Sequence, residues 1–166
     1  MAIGVVLSEM TASDGGEALT VQRSAFVVEA QLYAEPSLPP LVETLDDLLA
    51  WLDGDAHLGF VARYDGRLVG SIRVEVDGDC LRLSRLSVAP DWQGRGLGAA
   101  LLTQAERAAP AAEARLFTGH LSTGNLHLYR RLGYVEERRE RVDDRVTLVH
   151  LRKQLAGVPT PRPMAG

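Results

Sequence analysis

The segment "DWQGRGLGAALL", residues 91–102, places glycines at 94, 96 and 98 between an apolar strand-like run and an apolar helix-like run. Glycine is costly to order, so such a cluster marks a backbone with unusual dihedrals or one approached closely by a ligand. Where a loop of this kind opens a helix, its free N–H groups and the helix dipole bind anions, phosphate above all. The absence of a Gly-Lys-Ser/Thr ending sets aside a nucleoside triphosphate loop. Gly94 to Ala99 fits the loose dinucleotide pattern, but that pattern needs glycines early in a βαβ unit and an acidic residue about 20 positions on. Here an apparent antiparallel meander comes first, and the next strand ends at Phe117-Thr118-Gly119. The four His residues show no metal-ligand spacing, so no metal is expected.

The elements that hold this loop follow from local pattern. "HLGFVARY", "RLVGSIRVEV" and "CLRLSRLSV" read as three strands joined at Asp65-Gly66 and at Asp77-Gly78-Asp79. Asp-Gly is a strong hairpin signal. A two-residue turn at Asp77-Gly78 would set Val74 against Leu81 and Ile72 against Leu83, with Glu75 among Ser71, Arg73, Arg82 and Ser84 on the other face. In the third strand the apolar phase slips from Leu81 and Leu83 to Leu86 and Val88. One extra residue near Ser84-Arg85 repairs the phase, which is a β-bulge; a strand buried on both faces is the alternative.

After the glycines, "LGAALLTQAERAA" reads as a helix with Leu97, Leu101 and Ala105 on one stripe and Pro110 as its stop, followed by the strand "ARLFTGH". Strand, loop, helix and strand of these lengths require a parallel crossover. Upstream, a helix is expected from about Glu17 to Tyr33, a loop over Glu35 to Pro40, and a helix capped by Thr44 and stopped near Gly54.

The 166 residues suit one domain, expected over 1–155, with a mobile tail over 156–166. The net charge of −4 argues against nucleic acid, and Cys80 is the only cysteine, which leaves no disulfide framework. "MAIGVVLSEM" lacks a charged, apolar leader and no segment has the apolar length of a membrane span, so a cytoplasmic location is expected.

On the glycine segment the chain resembles the GNAT acyltransferases, whose signature is Gln or Arg, two residues, Gly, one residue, then Gly or Ala. Gln93-Gly94-Arg95-Gly96-Leu97-Gly98 fits it, and "RLSVAP", "NLHLYRRLGY" and the order of elements look similar from about Glu17 to Lys153. The resemblance implies an α/β fold: a mixed, mainly antiparallel sheet with helices on both faces. It also implies acetyl-coenzyme A as cofactor, with its pantetheine arm on Leu86, Ser87 and Val88 and its pyrophosphate on Gln93, Gly94, Arg95, Gly96, Leu97, Gly98 and Ala99.

By the same resemblance Tyr129, four residues before Gly133-Tyr134, becomes the general acid that protonates the leaving thiolate. Read without the family, Tyr129 is a core aromatic beside Leu126 and Leu132. Asn125 is the pantetheine contact, although family members often carry that Asn where this chain has Ser122. For the base, Glu75, His120 and water remain open; Arg73 and Arg82 also offer Glu75 a plain ion pair. Glu29, Tyr33 and "LPPLVET" would form the acceptor mouth. The expected acceptor is an amine of a small molecule or protein, self-association as a homodimer stays open, and an idle coenzyme A-binding module is the alternative to an enzyme.

Overall fold

The computed structural model describes residues 3–155, so the tail expected over 156–166 lies outside the described residues. Strands β1 (Val5–Glu9), β2 (His57–Tyr64), β3 (Arg67–Asp77), β4 (Cys80–Val88), β5 (Glu113–Gly119), β6 (Val135–Arg141) and β7 (Thr147–Gln154) form one sheet. Their order is β1-β2-β3-β4-β5-β7-β6. Only β4 and β5 pair in parallel; the other neighbours are antiparallel. Helices α1 (Gly15–Tyr33), α2 (Pro39–Val42), α3 (Leu45–Leu52), α4 (Leu97–Glu106) and α5 (Thr123–Arg131) surround the sheet, and α4 is the crossover from β4 to β5.

Positions 70 and 73 lie on opposite faces of β3, because strand side chains alternate. A Cβ at Gly70 would meet Leu101 of α4 at 3.0 Å, whereas Arg73 donates to Gln22 of α1. Helices therefore cover both faces, and the mixed sheet implied by the resemblance is the sheet observed. No helix among the described residues is long and apolar enough to cross a membrane.

Asp65 and Gly66 both take positive φ, as a type I′ turn demands. The next hairpin differs from its expected register. Asp77 faces Cys80, so the turn is Gly78-Asp79, and Val74 pairs with Leu83 rather than Leu81. The cause is local: Gly78 alone takes positive φ (58°), which suits the first central position of a type II′ turn. The shift is by two residues, so the buried face is unchanged.

Three other differences have simple causes. The loop expected over Glu35 to Pro40 gives way at Pro39 to the one-turn helix α2, because proline is tolerated at a first helical position. Helix α4 ends at Glu106, where Arg107 and Ala108 tighten onto the carbonyls of Gln104 and Ala105. Strands β1, β6 and β7 had no clear signal: the seven residues of β6, "VEERRER", are nearly all exposed at the sheet edge. Charged edge strands resist pairing with other chains, so selection for solubility erases the alternation that would reveal them. Thr44 caps α3 as expected: Asp47 N–H donates to its Oγ1 at 3.1 Å, and Thr44 N–H donates to the Asp47 carboxylate at 2.9 Å.

Candidate active site

The parallel ladder joins Cys80, Leu81 and Arg82 to Glu113, Ala114 and Arg115, then stops, although β4 runs to Val88 and β5 to Gly119. The bulge lies in the same stretch. Arg73 faces Ser84 and Ser71 faces Ser87, so Ile72 stands opposite both Arg85 and Leu86. Arg85 takes up the extra residue with φ of 54°. Beyond it, Ala89 N–H donates to Val69 O at 2.8 Å. Since donors and acceptors alternate along an antiparallel ladder, Leu86 and Val88 turn their backbone polar groups away from β3, into the gap.

At the end of β4 the chain turns through the glycine loop into α4. Gly94 and Gly96 have φ of 76° and 83°, and Gly96 occupies the cap position of the helix. From Gln93 to Ala99 no backbone N–H has an acceptor among the described residues; the first to find one is Ala100, bonded to Gly96 O at 3.1 Å. Gln93 Nε2 donates to Val88 O at 3.2 Å, tying the loop to the strand. Gly98 has no unusual φ; a Cβ there would press on Leu128 of α5 at 3.2 Å. A cavity of about 690 Å³ follows this path, lined by Gln93, Gly94 and Gly96 to Ala99, then by Leu86, Val88 and Asn125.

A second chamber of about 480 Å³ lies against the first and shares Phe26, Glu29, Leu86 and Asn125 with it. Tyr129 lines this chamber, 6% exposed, with its ring edge-on to Tyr134 at 6.1 Å. Its hydroxyl has no hydrogen-bond partner among the described residues. Burial, with the Glu29 carboxylate second, raises its pKa above the ordinary phenol value and keeps the proton on.

Glu29 ends a directed chain of hydrogen bonds. Leu121 N–H donates to the Tyr33 hydroxyl at 3.0 Å, that hydroxyl pairs with Ser122 Oγ at 2.7 Å, and Ser122 Oγ donates to Glu29. Asn125 Nδ2 lies 3.4 Å from the other Glu29 oxygen and 3.3 Å from Thr118 Oγ1. The network anchors α1 to the end of β5 and the start of α5, and holds a carboxylate where the two cavities meet.

The residues singled out in the sequence are not all placed alike. Leu86, Val88, Gln93, Gly94, Gly96, Leu97, Gly98, Ala99, Ser122 and Asn125 line the first cavity, and Tyr129 lines the second. Ser87 is buried and folds its hydroxyl onto Arg85 O at 3.0 Å, outside both cavities. Arg95 lies across Trp92 at 4.4 Å and lines neither. Glu75 is exposed on β3 and lines neither cavity; Arg82 pairs with Asp77 and Arg73 with Glu43 instead. His120 also lines neither cavity, and its Nδ1 accepts from Thr147 N–H at 3.1 Å.

Sequence reasoning missed the cluster of Gln22, Glu43, Arg73 and Arg85, of which Arg85 lines the second chamber. Glu43 lies 30 residues from Arg73, and no local pattern signals a pair so far apart.

Residues 44–155 match the acetyltransferase (GNAT) domain family. The chain is 34% identical over 142 residues to the mycothiol acetyltransferase of Clavibacter sepedonicus, a match covering 81% of this chain and 44% of that protein. It therefore spans less than half the length of that curated relative. The ribosomal-protein-S18-alanine N-acetyltransferase of Escherichia coli has the same fold, with a TM-score of 0.76 at 20% identity over 95% of this chain and 97% of that one. So does the PaiA N-acetyltransferase of Thermoplasma acidophilum, solved in complex with coenzyme A, with a TM-score of 0.74 at 19% identity over 93% and 100% of the two chains. The family match spans well over half the sequence and takes in the parted strands, the glycine loop and Tyr129: the chain belongs to the GNAT acetyltransferase family.

Proposed function

We propose that the chain transfers an acetyl group from acetyl-coenzyme A to a primary amine of a small molecule or protein. The observation that carries this reading is the meeting of two cavities at Glu29, Leu86 and Asn125. One runs to a loop of free N–H groups, and the other holds a buried phenol with an unused proton.

The residues present fit coenzyme A. Its pyrophosphate needs donors, and the N–H groups from Gln93 to Ala99 are without acceptors. Its pantetheine amides need a strand edge, and Leu86 and Val88 present one in the gap. Bound there, acetyl-coenzyme A supplies a thioester carbonyl and a sulfur leaving group. The side chains then divide the proton work. Glu29, whose carboxylate oxygens accept hydrogen bonds, holds the ammonium of the acceptor and takes its first proton. Tyr129 Oη gives its proton to the departing sulfur as the C–S bond breaks, and the second proton that the nitrogen sheds as the C–N bond becomes an amide restores the phenol. Asn125 orients the Glu29 carboxylate. The reading keeps a single domain over residues 1–155 and a cytoplasmic setting.

A thermal melt tests the cofactor half of this proposal. Coenzyme A raises the melting temperature, because a ligand of the folded state alone stabilises it, and NAD leaves it unchanged. A rise with NAD and none with coenzyme A overturns the reading.

A further inference from the structure

The second chamber holds a charge that transfer to a bare amine does not use. Arg85 lines it, on the bulge, in the left-handed region. Ala34 and Asp65 are the other non-glycine residues with positive φ among those described, and they sit at a helix end and in a hairpin turn, where such angles are common. At Arg85 the strained backbone instead lies within a strand, on the bulge of β4.

The guanidinium is undersupplied with acceptors. Its Nε is buried and has no hydrogen-bond partner. Its nearest carboxylate is Glu43, whose Oε2 lies 3.7 Å from Nη2, beyond hydrogen-bond reach. Glu43 is already committed: Arg73 donates to both its oxygens, and Gln22 Nε2 donates to Oε1 at 3.2 Å. Two guanidinium groups thus share one carboxylate, which leaves that cluster with one positive charge in excess. Burial lowers the Arg85 pKa, a sign that solvent does not compensate this charge in full.

The chamber's acids are placed otherwise. Glu29 stands at the junction with the cofactor cavity, Glu35 accepts from Ser37 N–H at 2.9 Å, and Asp143 accepts from the N–H groups of Arg145 and Val146. Ile72, Leu83, Leu116 and Phe117 supply apolar wall. We infer that Arg85 is an oxyanion-binding residue of the acceptor chamber, and that the amine accepted there also carries a carboxylate and an apolar body. An arginine fork matches a carboxylate with two parallel hydrogen bonds, which neither a hydroxyl nor a second amine can reproduce. The inference rests on the acetyl-transfer reading and names its substrate class.

Calorimetry on the full chain saturated with coenzyme A tests it, with two product analogues that differ only in the carboxylate. N-acetyl-L-phenylalanine binds at least about tenfold more tightly than N-acetylphenethylamine, and Arg85→Gln brings the two within about twofold. Arg85→Lys, which keeps the charge and loses the fork, falls between them. Equal affinities in the parent protein, or no binding of N-acetyl-L-phenylalanine, overturn the inference even if the variants fail to fold. The coenzyme A titration that precedes these separates the two claims. Saturable coenzyme A binding without discrimination removes the Arg85 assignment alone, whereas failure to bind coenzyme A removes the acetyl-transfer reading and the inference with it.

Discussion

Gly119 lies directly under Tyr33: a Cβ at position 119 would overlap the phenol oxygen and stand 2.9 Å from Cε2. The ring cannot retreat without giving up its bonds to Leu121 N–H and Ser122 Oγ, and through Ser122 its hold on Glu29. Gly119→Ala therefore destabilises by about 1–3 kcal/mol, the range for overpacking a filled site. Tyr33→Phe keeps the ring and loses only the hydrogen bonds. It lowers stability less than Gly119→Ala, yet still lowers turnover because Glu29 is released. Melting curves and initial rates on both variants check the pair; full turnover in Tyr33→Phe removes the chain from Tyr33 to Glu29 from the mechanism.

Gly96 requires its φ of 83° to turn the loop into α4. A β-branched residue there costs at least the ~1–2 kcal/mol of a left-handed L-residue and places methyl groups in the path of the phosphate. Gly96→Val weakens coenzyme A binding by about tenfold or more while the circular dichroism stays native. Undiminished affinity in the folded variant would mean the pyrophosphate lies elsewhere.

Tyr129→Phe isolates the proton. The hydroxyl makes no hydrogen bond within the described protein, so its loss leaves the melting temperature nearly unchanged. Turnover falls by roughly 10²-fold, the scale of general acid catalysis, while affinity for acetyl-coenzyme A holds. Parent-like turnover in this variant makes Tyr129 a packing residue only, and Tyr129→Ala then remains costly, at about 3–5 kcal/mol.

Glu43 gives the protein an acid-sensitive support. Burial pushes its pKa up, but the hydrogen bonds and charge of Arg73 outweigh that and hold it below the ordinary carboxylate range. A carboxyl whose folded pKa is depressed contributes stability above its unfolded pKa and loses it as pH falls through the folded value. Glu43→Gln leaves Arg73, 4% exposed, without its counter-charge and costs about 3–5 kcal/mol near neutral pH. The gap in melting temperature between parent and variant closes as the pH is taken below the ordinary carboxylate range. A gap independent of pH would place the ion pair outside the stability balance.

The sequence made some of this legible and hid the rest for physical reasons. The phase slip between Leu83 and Leu86 announced the bulge because a strand with a buried face cannot change parity silently. The glycines at 94 and 96 announced the loop because few other residues take their angles cheaply. The turn at Gly78-Asp79 was misplaced because the run Asp-Gly-Asp satisfies two turn types equally well, and only the strand pairing decides between them. Glu75 looked like a strand carboxylate of the site, but nothing local tells which end of β3 faces the gap. Glu29 and Tyr33 could be placed at a mouth, yet their link to Ser122 and Gly119 spans some 90 positions of chain. Such contacts exist only once α1 has packed across the sheet.

The most direct test of acetyl transfer is steady-state release of coenzyme A thiol from acetyl-coenzyme A, measured with and without each member of a panel of primary amines. The panel pairs simple amines with carboxylate-bearing ones, and mass spectrometry follows the acceptor. Thiol release depends on the amine, saturates in both reactants, and matches the N-acetylated product mole for mole. Saturable coenzyme A binding with no amine-dependent thiol release from any member of the panel would contradict acetyl transfer and leave a binding module in place of an enzyme.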